Sequence, residues 1–301
     1  MIRSFLRLIF MRVAGLSILV LVSAKHRLRG YRKPNKVEEG DKAAGRAYVR
    51  GVVGDWARYL PDGVEFRDRD VLELGPGSSL GTGALLLARG ARSYVAADAF
   101  RLAGTESADD FAGLIDECSD DLAPTDIVRA KAVTGDAAES FGYEVDSDFD
   151  LARMLGDRRF DLVISCAAFE HFDDIDATIA GITAVARPGC VNLHIVDFQT
   201  HSSWIRDRDP NNIYRYPRWL YHRLLAFPGQ PNRKRPVDYR RAFEANGWTD
   251  VAVQTDVGIA ESLVEPSLRG LVAPFDRADQ EMTILSGVVI AVRPGGSAAH
   301  G

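Results

Sequence analysis

"VLELGPGSSLGTGALLLARGARSYVAADAF", residues 71–100, governs the reading of the whole chain. Residues 71–74 are apolar apart from Glu73, as in a strand buried on both faces. "GPGSS" then turns the chain on two glycines, "GTGALLLARG" has the apolar density of a buried helix, and "SYVAAD" returns as a second strand ending on Asp98. Strand, glycine turn, helix, strand and terminal acid form the first part of an α/β unit that binds ligands beyond the carboxyl ends of its strands.

The alternation continues outward. A polar helical pattern from Val37 to about Leu60 ends at "LPDG", and "DVLEL" follows as the first strand. Downstream, "KAVTGD" reads as a weaker third strand and "FDLVIS" as a fourth. "DIDATIAGITAVA" reads as a helix stopped by Pro188 and Gly189, and "CVNLHIVDF" as a fifth strand. "DVAVQT" and "TILSGVVIAV" supply two more. Near-continuous apolar strands separated by helices predict a Rossmann-like α/β fold, a mostly parallel sheet covered on both faces. Residues 37–293 form this domain, with an insertion at about 198–245, and residues 294–301 are a disordered tail.

The net charge of −5 over 301 residues conceals an asymmetry, because residues 1–36 carry nine Lys or Arg and no acid. The excess of acid therefore falls on the body, which opposes binding to nucleic acid. Cys118, Cys166 and Cys190 stand far apart without a CxxC pair, which fits a reducing, cytoplasmic setting and argues against structural zinc or disulfides. In the leader, the uninterrupted apolar run from Val13 to Ala24 is shorter than the roughly 18 residues of a spanning segment. The favoured reading is a membrane-interfacial helix over residues 1–36, with Phe5, Leu6, Leu8, Ile9 and Phe10 in the lipid boundary and arginines at anionic headgroups. Its rivals are a signal peptide cleaved after "VSA", a helix packed on the body, or a true start at Met11.

The glycine turn narrows the choice of cofactor. A dinucleotide fingerprint needs Gly-x-Gly-x-x-Gly; Gly75 and Gly77 fit, but Leu80 holds the third place. Glu73, at the end of the first strand, would oppose a pyrophosphate and suits a ligand bearing an ammonium group. "VLELGPGSS", "AAD", "GDA", "FDLVIS…FEHF" and "RPG", in this order, resemble the class I S-adenosylmethionine-dependent methyltransferases. The resemblance spans roughly residues 45–293 and implies a seven-stranded sheet whose last strand is antiparallel. It implies that Glu73, Gly75 and Gly77 hold the methionine portion of S-adenosylmethionine, that Asp98 binds the ribose hydroxyls and that Asp136 with Ala137 lies beside the adenine. It places Ser165 to Ala167 at the methyl donor. The Glu170–His171 pair resembles one that lines the site in small-molecule and lipid-quinone methyltransferases. The long connection between Asp136 and Phe160 departs from the pattern and weakens the assignment of Asp136.

Methyl transfer is an in-line displacement that mainly needs alignment, whereas an alcohol acceptor also needs help in losing its proton. His171 and His201 are the candidates for that role. No metal is required, although His194, Asp197 and His201 have a loose ligand spacing. Nucleic-acid acceptors are disfavoured: an Asn/Asp-Pro-Pro-aromatic signature is absent, and Cys166 lacks a preceding proline. Residues 197–248 are expected to cover the mouth and recognise the acceptor. Trp204, Tyr214, Tyr216, Trp219 and Tyr221 offer flat faces there, and Arg215, Asn232, Arg233 and Arg235 offer donors. With Glu170, Tyr214, Tyr216 and Arg233 as acceptor contacts, the expected substrate is a small-molecule, saccharide or lipid-linked acceptor, O-methylated at the inner membrane face. Alternatives are an inactive membrane-attached scaffold of the same fold, or an NAD-dependent oxidoreductase.

Overall fold

The computed structural model describes residues 2–29, 41–135, 140–225, 227 and 229–295. An N-terminal helix α1 (Ile2–Arg29) precedes α2 (Lys42–Tyr59), β1 (Asp70–Leu74), α3 (Gly81–Ala88), β2 (Ser93–Asp98) and α4 (Ala108–Asp116). Next come α5 (Pro124–Gly135), β3 (Phe141–Val145), α6 (Leu151–Leu155), β4 (Phe160–Cys166), α7 (Ile175–Val185) and β5 (Ala186–Asp197). The short α8 (Ser203–Arg206) and α9 (Arg218–Leu220) lead to α10 (Pro236–Ala245), β6 (Thr249–Gly258), α11 (Glu261–Leu268) and β7 (Ile284–Val292).

The sheet has seven strands in the order β3-β2-β1-β4-β5-β7-β6. β1 to β5 pair in parallel, and β7 inserts antiparallel between β5 and β6. Both faces are covered, as expected. Val71, Tyr94, Leu162 and Leu193 face α2, α3 and α5, while Leu72, Leu74, Val163 and Val196 face α7 and α10. Trp56 of α2 is fully buried and its indole Nε1 donates to the Ser165 carbonyl at 3.1 Å, so this helix is fastened to the middle of the sheet. Local chemistry sets the helix starts: Asp41 caps α2, Ser107 and Asp110 form a capping box on α4, and Asp174 caps α7.

One strand lies elsewhere than expected. Residues 131–135 of "KAVTGD" end helix α5 instead of forming the third strand, because Ile127, Ala130, Val133 and Thr134 recur at helical spacing and turn one face onto the core. The third strand is Phe141–Val145, half-buried throughout at the edge of the sheet. Asp136 and Ala137 lie outside the described residues.

A third apolar cluster sits away from the sheet. Leu19 of α1 meets Ile213, Tyr214, Tyr216, Tyr221 and Phe275 there. α1 docks through a stripe at four-residue spacing, Met11, Gly15, Leu19 and Ser23, all buried. Gly15 permits the closest approach, since a Cβ there would lie 2.0 Å from Asn212 Oδ1. Body side chains also bond the helix backbone: Asn212 Nδ2 donates to the Met11 carbonyl, and Tyr216 OH to that of Arg12, both at 3.0 Å.

Because Trp56 combines full burial with a bond to a strand carbonyl, Trp56→Phe should keep the fold yet lose about 1–3 kcal/mol by stranding that carbonyl. Urea denaturation followed by circular dichroism reads the difference.

Candidate active site

The carboxyl ends of β1, β2, β3 and β4 open into a single cavity of about 1520 Å³. Its floor is made by Gly75, Gly77, Asp98, Ala167, Ala168 and His171. Gly75 (φ +64°) and Gly77 (φ +72°) both adopt left-handed backbone, which explains glycine at these two positions. A Cβ on Gly75 would come within 2.7 Å of the Ala168 methyl, whereas the space over Gly77 is open. The turn is thus a cradle in which a ligand can approach the main chain. Asp98 ends β2 at the cavity floor, and its Oδ1 accepts from the Phe100 amide at 3.0 Å. Burial pushes its carboxyl up to about 6, against the lowering effect of backbone donors.

Glu73 does not reach the cavity as expected. It is buried, and its Oε2 accepts from Thr82 Oγ1 and Tyr94 OH, each at 2.6 Å. Burial outweighs both bonds and pushes the carboxyl up to about 7. Ser165 also turns inward. Its hydroxyl lies 2.9 Å from His194 Nδ1, while His194 Nε2 lies 3.2 Å from Asn192 Oδ1. Burial depresses His194 to about 3, so a neutral imidazole stacked on Phe169 fills the core, and its nitrogens are committed away from any ligand.

His171 lines the cavity. Glu170, 2% exposed, lies behind it, with Oε1 at 4.0 Å from Nε2 of both His171 and His201. Tyr214 and Tyr216 are structural instead. The Tyr214 hydroxyl donates to the Phe198 carbonyl at 2.7 Å, and that of Tyr216 faces α1. Arg215 is buried against Asp209, and Arg235 donates to the carbonyls of Gln280, Glu281 and Ile284. Arg233 does reach the cavity, but its Nη1 is bound by the Ile213 and Tyr216 carbonyls and its guanidinium stacks over Tyr221.

The wall opposite the glycine cradle comes instead from Arg218, Tyr221, His222, Phe227, Asn232 and Lys234, within the stretch expected to cover the mouth. Two contributions escaped sequence reasoning. Ser147, Asp148 and Phe149 follow β3 onto the cavity, and would have been found had the edge strand been placed there. Residues 273–275 come from the connection between β6 and β7, whose sequence carries no strong period.

The antiparallel β7 beside β5, the glycine cradle on β1 and the acid ending β2 are now all in place. The seven-stranded, mostly parallel sheet with β7 antiparallel beside β5 is the Rossmann-like arrangement that the sequence resemblance implies. No family model and no curated protein matches the chain. Solved structures similar to it include a putative S-adenosylmethionine dependent methyltransferase from Listeria monocytogenes, at 16% identity and TM-score 0.45, covering 85% of this chain and 99% of that one. The CurJ carbon methyltransferase is similar at 16% identity and TM-score 0.43, covering 83% of this chain and 54% of that one, so this chain spans about half its length. Phosphoethanolamine N-methyltransferase 2 from Haemonchus contortus, in complex with S-adenosyl-L-methionine, is similar at 16% identity and TM-score 0.44, covering 81% and 52%.

Glu73 and Asp98 both hold their protons more tightly in the folded than in the unfolded chain, so the unfolded state loses them first as pH rises. Stability should therefore fall with rising pH from about 4.5 to about 7 through Glu73, and from about 3.8 to about 6 through Asp98, then level off. Glu73→Gln should flatten the upper part of this decline. Denaturation midpoints at closely spaced pH values measure it.

Proposed function

We propose that the chain is an S-adenosylmethionine-dependent methyltransferase that O-methylates a saccharide-like or lipid-linked acceptor at the cytoplasmic face of a membrane. The observation that carries the reading is one cavity joining the glycine cradle and Asp98 to His171 and a polar wall. Gly75 and Gly77 would let the main chain meet the methionine portion, Asp98 would accept from the ribose hydroxyls, and Ser147 to Phe149 would border the adenine. Bound there, the cofactor supplies an electrophilic methyl group on a sulfonium centre. The residues around it align the acceptor oxygen and exclude water. The acceptor's proton leaves at the cluster of Glu170, His171 and His201, of which His171 faces the cavity. Arg218, His222 and Lys234 beside Asp173 and Asp174 offer the mixture of donors and acceptors that a hydroxylated ligand needs.

A dinucleotide is the weaker reading on an independent observation. The amide of Leu80, at the start of α3, donates to Glu106 Oε1 at 2.7 Å. A carboxylate thus already occupies the helix N-terminus that a pyrophosphate would use.

The membrane side of the proposal is supported by α1. Residues 8–28 form a helix long and apolar enough to cross a bilayer, with mean hydropathy 1.9 and 22% of it buried. Its docked stripe leaves Leu6, Ile9, Phe10, Val13 and Leu21 outward, with Phe10 edge-on to the exposed Trp204. Leu8, expected in lipid, turns instead towards Gly270, and the side chain of Phe5 lies outside the described residues. An apolar outer face flanked by arginines suits a helix lying in the interface.

S-adenosylhomocysteine should raise the melting temperature of the full chain by mass action, and Asp98→Ala should weaken its binding by about 1–3 kcal/mol in calorimetry. A rise with NADH alone would favour the oxidoreductase, and no rise with either ligand the scaffold.

Vesicles containing anionic lipid should sediment the full chain, and the double variant Phe10→Asp, Leu21→Asp should stay in solution. Equal sedimentation of the two would remove α1 as the membrane contact.

A further inference from the structure

We infer that Glu170, His171 and His201 form a binding site for one divalent cation of the zinc or manganese class, at the acceptor end of the cavity. This inference rests on the reading of that cavity as a methyl-transfer site and specifies how its polar cluster acts. The three residues come from two strand ends: Glu170 and His171 from the turn after β4, and His201 from the loop after β5. One ligand atom from each lies within 4.8 Å of the others. Glu170 Oε1 is 4.0 Å from Nε2 of each histidine, and the two rings meet edge to face with centroids 5.0 Å apart. Asp197 Oδ2 approaches His201 Nε2 from another side at 3.8 Å.

These separations are too long for hydrogen bonds between the groups, which need about 3.2 Å or less for N–H···O. They are close to the spacing of ligands around one ion. Metal–ligand bonds of about 2.0–2.2 Å at tetrahedral angles place ligand atoms roughly 3.3–3.6 Å apart, reached here by small side-chain adjustments. Two imidazoles and one carboxylate select a borderline cation over calcium or magnesium, which prefer oxygen ligands. His171 lines the cavity, so a cation held by the cluster would lie at the cavity's edge, within reach of an acceptor oxygen bound there. The cation would orient that oxygen and weaken its hold on the proton, which would pass to solvent water, so the imidazoles would act as ligands in place of taking the proton themselves.

The test uses the untagged full chain, treated with EDTA, dialysed and titrated with Co²⁺ as a spectroscopic probe. One Co²⁺ per chain should bind with visible absorption bands, and Zn²⁺ should displace it. His171→Ala and His201→Ala should each weaken binding by at least about tenfold. The partly exposed His201→Gln serves as a second variant, with the melting-temperature rise in S-adenosylhomocysteine as the control for folding. Absence of saturable Co²⁺ bands in wild-type chain that responds to S-adenosylhomocysteine would overturn the site, as would unchanged binding in the histidine variants. Methyl transfer is assayed separately. Transfer that survives chelation would overturn the cation's role while upholding the transferase reading. Co²⁺ bound tightly by a chain that transfers no methyl group would uphold the site and sink that reading.

Discussion

The architecture around the cavity depends on one buried carboxylate. Glu73 leaves β1 directly before the glycine turn and accepts from Tyr94 on β2 and Thr82 on α3. Three elements that meet at the floor are thereby tied by a single side chain, while the turn that follows is held separately by the Gly75 amide donating to the Ala97 carbonyl at 2.8 Å. Gly83 allows this arrangement, since a Cβ there would strike the Tyr94 ring at 2.3 Å. The carboxyl expected to greet a ligand thus sits beneath the floor, as a hydrogen-bonded strut whose proton burial helps to hold.

How far the sequence predicts each part follows from where its partners lie along the chain. β1, α3 and β2 are legible because each is buried on every side, so composition alone reveals it. Gly75, Gly77 and Asp98 are legible because a strand end and a tight turn fix them within a few residues. β3 is concealed because the alternation of Phe141, Tyr143 and Val145 with Gly142 and Glu144 lasts only five residues and is half-buried throughout, while the end of α5 imitates an apolar strand. Tyr214, Arg215 and Arg235 mislead for a related reason: an aromatic or an arginine in a covering segment has the same letter whether it faces a ligand or a distant carbonyl. Their partners, from Phe198 to Ile284, are set by tertiary structure alone.

Those arginines explain how a covering region with little regular structure keeps its shape. Between β5 and β6 the helices are short and the turns irregular, leaving many carbonyls without a helical or strand partner. Arg215 reaches the carbonyls of Pro266, Ser267 and Arg269, and Arg235 those of Gln280, Glu281 and Ile284, all between β6 and the start of β7. The planar fork of donors suits this task better than an ammonium would. Each guanidinium fastens the segment after β5 to the one after β6, so the two connections over the sheet act as a single cover.

α1 extends that cover and carries apolar residues on both sides. Its buried stripe sets Gly15 and Ser23 among Met11 and Leu19, while its outer side exposes Phe10, Val13 and Leu21. Attachment runs through the cavity wall itself: His26 stacks on Phe227 with centroids 4.6 Å apart, and Arg27 donates to the Arg223 carbonyl at 2.8 Å. Phe227, His222 and Tyr221 all line the cavity. A force that seats α1 on a surface therefore acts on the same few residues that shape the acceptor's space. On the proposed membrane reading, the bilayer and the acceptor wall become mechanically one unit, and an acceptor carried by lipid would arrive beside the wall that α1 supports.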